Sequence, residues 1–330
     1  MPLRLTPRRT AGAHRLAASL ILAFGLTSGA YAMEWLAGPQ GGGWYAMADG
    51  LSKLIDQDNP ELGLRVVPGG GKENPGHLQE GDGQVGMSID FLVAAAYAGK
   101  APYDGAPMKK INTLGAGWSP LPFHLLRAAN APADLRAAVT GRGFRIAVPA
   151  KDTSDELTFQ RVMAFYDTSY DRIERDGGLV IHGNYDEIAA ALKDGKVDYL
   201  FGATTKPAAI IASIGEGPRP MALTPMPADL MGSLAKTYGY GRGVIPAGTY
   251  PKLQSGDIET TFMETIFMIS AEVPEETAYK ITRTLLTHRA ELAAINASMA
   301  DFDPKTAWRN LPAPLHPGAA RAYRELGFMP

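Results

Sequence analysis

The chain has 330 residues, 45% of them hydrophobic and 20% charged, with no cysteine and a formal net charge of −2. Disulfides, thiol catalysis and every cysteine-based metal site are thereby excluded. A chain of this size buries roughly three-quarters of its surface without staples, and its length suits two lobes of about 100–150 residues better than one core.

Arg4, Arg8, Arg9 and Arg15 precede the apolar run Leu16–Leu26, and Ala30 and Ala32 flank Tyr31. A basic head, a short apolar run and an A-x-A end make residues 1–32 a signal peptide. The run falls short of the roughly 20 residues that span a bilayer. The arginine pair hints at twin-arginine export, but Thr10-Ala11-Gly12 lacks the apolar residues expected after it, so general secretion fits better. The mature chain is therefore expected in the periplasm. Removing four leader arginines from 32 Lys and Arg leaves 28 against 34 acids, a net of −6. That balance disfavours nucleic acid or an anionic membrane surface as partner. The six histidines are scattered, with no i, i+4 pair around an acid, so no metal and no cofactor is expected.

Short β-rich runs alternate with helical patterns, which reads as an α/β fold. Strands are expected at Leu62–Val67, Gln84–Asp90, Asn112–Trp118, Pro122–Arg127 and Phe144–Val148. Further strands are expected at Gly178–His182, Val197–Phe201, Met221–Thr224 and Thr265–Ser270. Met47, Leu51, Leu54 and Ile55 share one helix face, as do Phe159, Val162, Met163 and Tyr166. Asn184 with Glu187 reads as a capped helix start. Pro274 with Glu275 and Glu276 opens another helix, and Pro317 opens the last, which Gly327 stops. Two stretches look like crossings between lobes, Ser119–Pro122 and the glycine-rich Tyr238–Pro246. They divide the mature chain into a first lobe of 33–121 plus 246–330 and a second of 122–245.

Four turns carry the suggestive chemistry, each where a strand hands over to a helix. Pro39–Tyr45 offers three glycines that let backbone approach a ligand, a helix start with free N–H groups, and the exposed aromatics Trp44 and Tyr45. It is no phosphate loop, since neither G-K-[ST] nor G-x-G-x-x-G is present. Pro68–Asn74 offers Lys72 and Asn74 as donors, or is an ordinary solvated turn. Lys151–Ser154 offers Thr153 and Ser154, with Thr153 and Glu156 spaced as a capping box. Thr204–Pro207 offers Thr204 and Lys206. Ligands of open α/β sheets bind outside the carboxyl ends of strands, where such turns gather. No G-x-S-x-G, H-E-x-x-H or cysteine nucleophile accompanies them. Asp90 ends its strand as a candidate base, a cap or a hinge contact. Binding without catalysis is the economical expectation.

The ordered segments Gly41–Tyr45, Gly69–Asn74, Ser88–Asp90, Ile245–Pro251 and Leu315–Gly327 resemble the TAXI family, solute receptors of a class of TRAP transporters. The resemblance spans essentially the whole mature chain. It implies a type II periplasmic-binding fold: two α/β lobes, hinge strands and a ligand cleft. It implies as partners a small solute, typically glutamate-like or a dicarboxylate, and the membrane subunits of a TRAP permease, with the receptor itself monomeric. Carried over residue by residue, first-lobe contacts fall on Gly42, Gly43, Trp44, Tyr45, Asn74 and Asp90. The chain departs from the family pattern in Asp152–Asp155, where a G-S-G-T run is usual. It departs also in Ser88, in Trp44 and in lacking an N-P pair near Pro207. The two added acids oppose a ligand carboxylate unless Lys151 or Lys206 compensates, by a few kcal/mol at an effective dielectric of about 20.

Two alternatives use the same cleft. An exported enzyme would need Asp90 or Asp155 as a base with its pKa raised by burial. A sensory receptor would dock on a membrane histidine kinase instead of a permease.

Overall fold

The computed structural model describes residues 1, 33–38, 40, 43–103 and 105–330. Apart from Met1, the expected signal peptide lies outside the described residues. Eleven strands of the described residues join one mixed sheet. They are β1 (Glu34–Leu36), β2 (Arg65–Val67), β3 (Val85–Ile89), β4 (Ile111–Thr113), β5 (Ser119–Ala128) and β6 (Arg145–Pro149). Then come β7 (Leu179–Gly183), β8 (Tyr199–Ala203), β9 (Met221–Thr224), β10 (Gly241–Ile245) and β11 (Ile258–Ser270). The main path runs β2-β1-β3-β11-β5-β8-β6-β7, with β4 and β10 on β11 and β9 on β5.

Both ends of this path are parallel: β1 pairs with β2 and β3, and β6 with β7 and β8. The two long strands between them are antiparallel to their neighbours. Strand β11 pairs with β10 over Ile258–Phe262, then with β5, and then with β3 over Thr265–Ile269. Strand β5 pairs with β11 over Ser119–Pro122 and with β8 over Phe123–Arg127. The expected crossing at Ser119–Pro122 is thus part of β5. The other expected crossing, Tyr238–Pro246, contains β10, a strand laid antiparallel along β11. The first half of β11, Ile258–Glu264, mixes threonine and acid with apolar residues, so the sequence pattern marks only Thr265–Ser270 as strand. Tyr250, Leu253 and Ile258 pack with Leu126, Ile188 and Leu200 beside the β6–β8 end of the sheet.

Helices cover the sheet where the periodicity places them. Helix Gly43–Asp58 buries Met47, Leu51, Leu54 and Ile55, packed with Trp35, Phe267 and Ile281 in the core beside β1. Helix Ser154–Phe165 buries Phe159, Val162 and Met163. Helix Tyr185–Lys193 starts with a full capping box between Asn184 and Glu187. The Thr153 box is half made. Thr153 accepts from Glu156 N at 3.3 Å, while Glu156 Oε1 accepts from Gln160 and Tyr170. Helix Glu275–Thr287 follows Pro274, and helix Pro317–Glu325 buries Tyr323, whose hydroxyl donates to Leu114 O at 3.2 Å. No helix of the described residues is long and apolar enough to cross a membrane.

The largest apolar cluster straddles the sheet's middle. It joins Ile89, Phe91 and Leu92 to Phe123, Phe159 and Phe201. Buried Arg161 extends this link: its guanidinium lies 4.6 Å from the Phe91 ring and 4.1 Å from the Tyr238 ring, and it donates to Tyr240 Oη at 2.7 Å. Such cation–π contacts supply about 0.5–2 kcal/mol each, more where water is excluded.

Candidate functional site

A cavity of about 780 Å³ opens at the carboxyl ends of the strands. One wall is Gly38 after β1, Gly43 and Trp44 at the next helix start, and Gly69–Glu73 after β2. The facing wall is Pro149–Asp155 after β6, Gly183–Tyr185 after β7, and Ala203 at the end of β8. Ile89, Leu121 and Met263, from β3, β5 and β11, form the floor between them. Strand ends in an open α/β sheet present turns and helix starts to one crevice, which is why ligands gather there.

The Gly69–Gly71 turn shows how sequence builds the first wall. Fully buried Asn74 donates to Leu36 O (3.1 Å), Ala37 O (2.8 Å) and Met87 O (2.7 Å), and accepts from Gly70 N at 3.0 Å. One side chain thereby pins three main-chain segments. A Cβ on Gly71 would stand 3.3 Å from the Trp44 ring, so glycine there lets the indole lie against the turn. Tyr103 Oη donates to Lys72 O at 2.7 Å and steadies the turn's far end.

Asp155 organises the second wall. Its Oδ1 accepts from Ala203 N (2.6 Å) and Tyr185 Oη (2.8 Å), and its Oδ2 accepts from Ser154 Oγ (3.2 Å). The Tyr185 hydroxyl shares its proton with Ala203 O at 2.6 Å. Burial raises the Asp155 pKa above the ordinary carboxylate range against these hydrogen bonds. Burial, with the Asp155 charge second, pushes the Tyr185 phenol well up. Thr153 is also engaged within the wall, donating to Ala150 O at 2.7 Å.

The walls are tied by an ion pair. Lys72 Nζ lies 3.0 Å from Asp152 Oδ1. Asp152 adopts a left-handed backbone conformation, φ 67°. Asp and Asn tolerate that region better than most residues. Lys151 and Glu73 complete the charged lining, His77 lies at its edge, and the lining holds no arginine among the described residues.

A model of the NMT1-like family matches residues 35–327. The chain belongs to that family. The fold of this NMT1-like protein is also similar to two solved structures. One is a TctC solute binding protein from Polaromonas, at 14% identity over 81% of this chain and 85% of that one, with a TM-score of 0.46. The other is the periplasmic aliphatic sulphonate binding protein of Escherichia coli, at 14% identity over 90% and 79%, with a TM-score of 0.41.

Of the expected contacts, the NMT1-like chain brings Gly43, Trp44, Thr153 and Ser154 to the cavity. Gly42 lies outside the described residues. The other expected residues are held elsewhere. Tyr45 turns its hydroxyl to Val66 O at 3.4 Å, on the core side of its helix. Asn74 is sealed behind the glycine turn by the bonds above. Asp90 is the first residue of its helix, accepting from the adjacent Phe91 N at 2.8 Å, and does not line the cavity. Thr204 N bonds back to Pro122 O at 3.3 Å, and Lys206 reaches Asp301 Oδ2 at 3.4 Å, so this turn leaves the cavity after Ala203.

Gly183–Tyr185 was missed as part of the site. It follows a strand and opens a capped helix, the same signal that marks the other turns. Asp90 is the second aspartate with a raised pKa. Burial pushes it to about 7, and the neighbouring Glu264 charge adds to the shift.

Proposed function

We propose that this chain is an exported receptor that captures a small organic solute in the cavity and delivers it, unaltered, to a membrane permease of the TRAP type. In this reading it is a TAXI-type member of its family and acts in the periplasm as a monomer. The observation that carries the proposal is the cavity itself. It is walled by strand-end turns from both ends of the sheet and floored by residues of β3, β5 and β11. Strands β5 and β11 then act as hinges. One lobe is 33–121 with the chain after the middle of β11. The other runs from 122 to that point, because Tyr250, Leu253 and Ile258 pack with the second end of the sheet. Gly43, Trp44, Thr153 and Ser154 are the proposed contacts, with Gly42 an expected neighbour.

Asp155 favours a second reading, an enzyme in the same cavity, because it is a cavity-lining acid with a raised pKa. Its three bonds to the wall make a brace the simpler role. The test is native mass spectrometry of refolded, ligand-free protein mixed with a cellular small-molecule extract. One adduct per chain, released at its original mass, is expected. Accumulation of a converted product would replace the receptor with the enzyme.

A further inference from the structure

We infer that the cargo has an apolar ring or branched aliphatic body and carries no more than one negative charge. This rests on the solute-receptor reading and adds the chemical class. The charge balance of the lining argues first. Three acidic residues line the cavity, Glu73, Asp152 and Asp155, against two lysines, and Asp155 turns both carboxyl oxygens to donors of its own wall. Lys72 is engaged by Asp152. Lys151 is the only lining lysine or arginine without an ion-pair partner among the described residues. One ligand carboxylate can therefore be neutralised by Lys151, while a second would face Glu73 uncompensated.

The hydroxyls of the lining offer few donors to a richly hydroxylated cargo. The hydroxyls of Thr153, Ser154 and Tyr185 are all donated to protein acceptors. A polyol's oxygens would find none of these three hydroxyl protons free, and each group left unpaired costs affinity. What the cavity offers in quantity is apolar surface, in Trp44, Ile89, Leu121, Pro149 and Met263. A Cβ on residue 71 would crowd the Trp44 indole at 3.3 Å, so glycine there eases the ring's place against the turn. The volume, about 780 Å³, lies within the 300–1,000 Å³ range of small-molecule pockets.

The probes are 3-phenylpropanoate and 4-methylpentanoate against glutarate and 2-oxoglutarate. Each is titrated by calorimetry and thermal shift into the refolded, ligand-free mature chain. A monoacid should raise the melting temperature and bind at least tenfold more tightly than either diacid. Trp44→Leu, checked for folding by circular dichroism, should weaken that binding at least tenfold. A diacid that binds one-to-one more tightly overturns the class and leaves the receptor reading standing. Silence from both monoacids also overturns the class. If native mass spectrometry with the cell extract then still shows one adduct, the receptor reading survives, and if it shows none, both fall.

Discussion

Lys72 Nζ lies 3.0 Å from Asp152 Oδ1, joining the turn after β2 to the turn after β6. Both residues line the cavity, so the pair links two walls that no covalent or sheet contact joins at that point. The Asp152 side chain is 79% exposed, and solvent keeps such pairs within about 0–1 kcal/mol. Lys72→Met should therefore leave the urea midpoint nearly unchanged. It should speed release of bound solute by about two- to fivefold, the kinetic equivalent of that small energy. Stopped-flow fluorescence measures the release rate. An unchanged rate would remove the pair from the closing motion.

Asn74 has the opposite profile. Its amide holds three carbonyls and the Gly70 amide in a fully buried position. Asn74→Ala strands those groups without water, at about 1–3 kcal/mol for each one left unsatisfied. A loss of at least about 2 kcal/mol in urea unfolding is expected. A neutral result would mean that the pin is not made.

Asp90 sets a pH dependence. Its pKa stands near 7 against an ordinary 3.8, raised by burial first and by Glu264 among the lesser causes. Glu264 is itself raised by burial, and Tyr240 is the further ionisable group that feels the Asp90 charge. Folding thus favours the protonated acid. Its contribution is complete below about pH 4 and is lost as pH rises through about 7. Asp90→Asn keeps an acceptor for Phe91 N and removes the titration. It should stabilise the protein by about 1–3 kcal/mol at pH 8 and leave it little changed at pH 4. Parallel pH profiles for the two proteins would contradict this.

The strand-to-helix turns were legible because a period-2 run ending in a cap, as at Asn184 and Thr153, is a local signal. Which of those turns share a cavity was not. Thr204–Lys206 has the composition of a site, yet Ala203 is the last residue of its strand to face inward, since Thr204 N returns to Pro122 O. Nor could local pattern separate Asn74 as a donor to ligand from Asn74 as a donor to three distant carbonyls. Strand β1 is three residues long, too short for periodicity to register. Strand β10 hides behind its glycines. A Cβ on Gly243 would come 2.8 Å from the Phe262 ring, so that composition reflects close packing against β11.

Closure of the two walls on a solute is the central claim, and a distance measurement tests it most directly. The chain has no native cysteine, so Glu80→Cys and Lys193→Cys place one spin label at an exposed site on each side of the cavity. Pulsed electron paramagnetic resonance is then recorded on ligand-free protein and after saturation with the compound released from the purified receptor. The account predicts a shorter, narrower distance distribution in the saturated sample, and a distribution that does not change on saturation would contradict it.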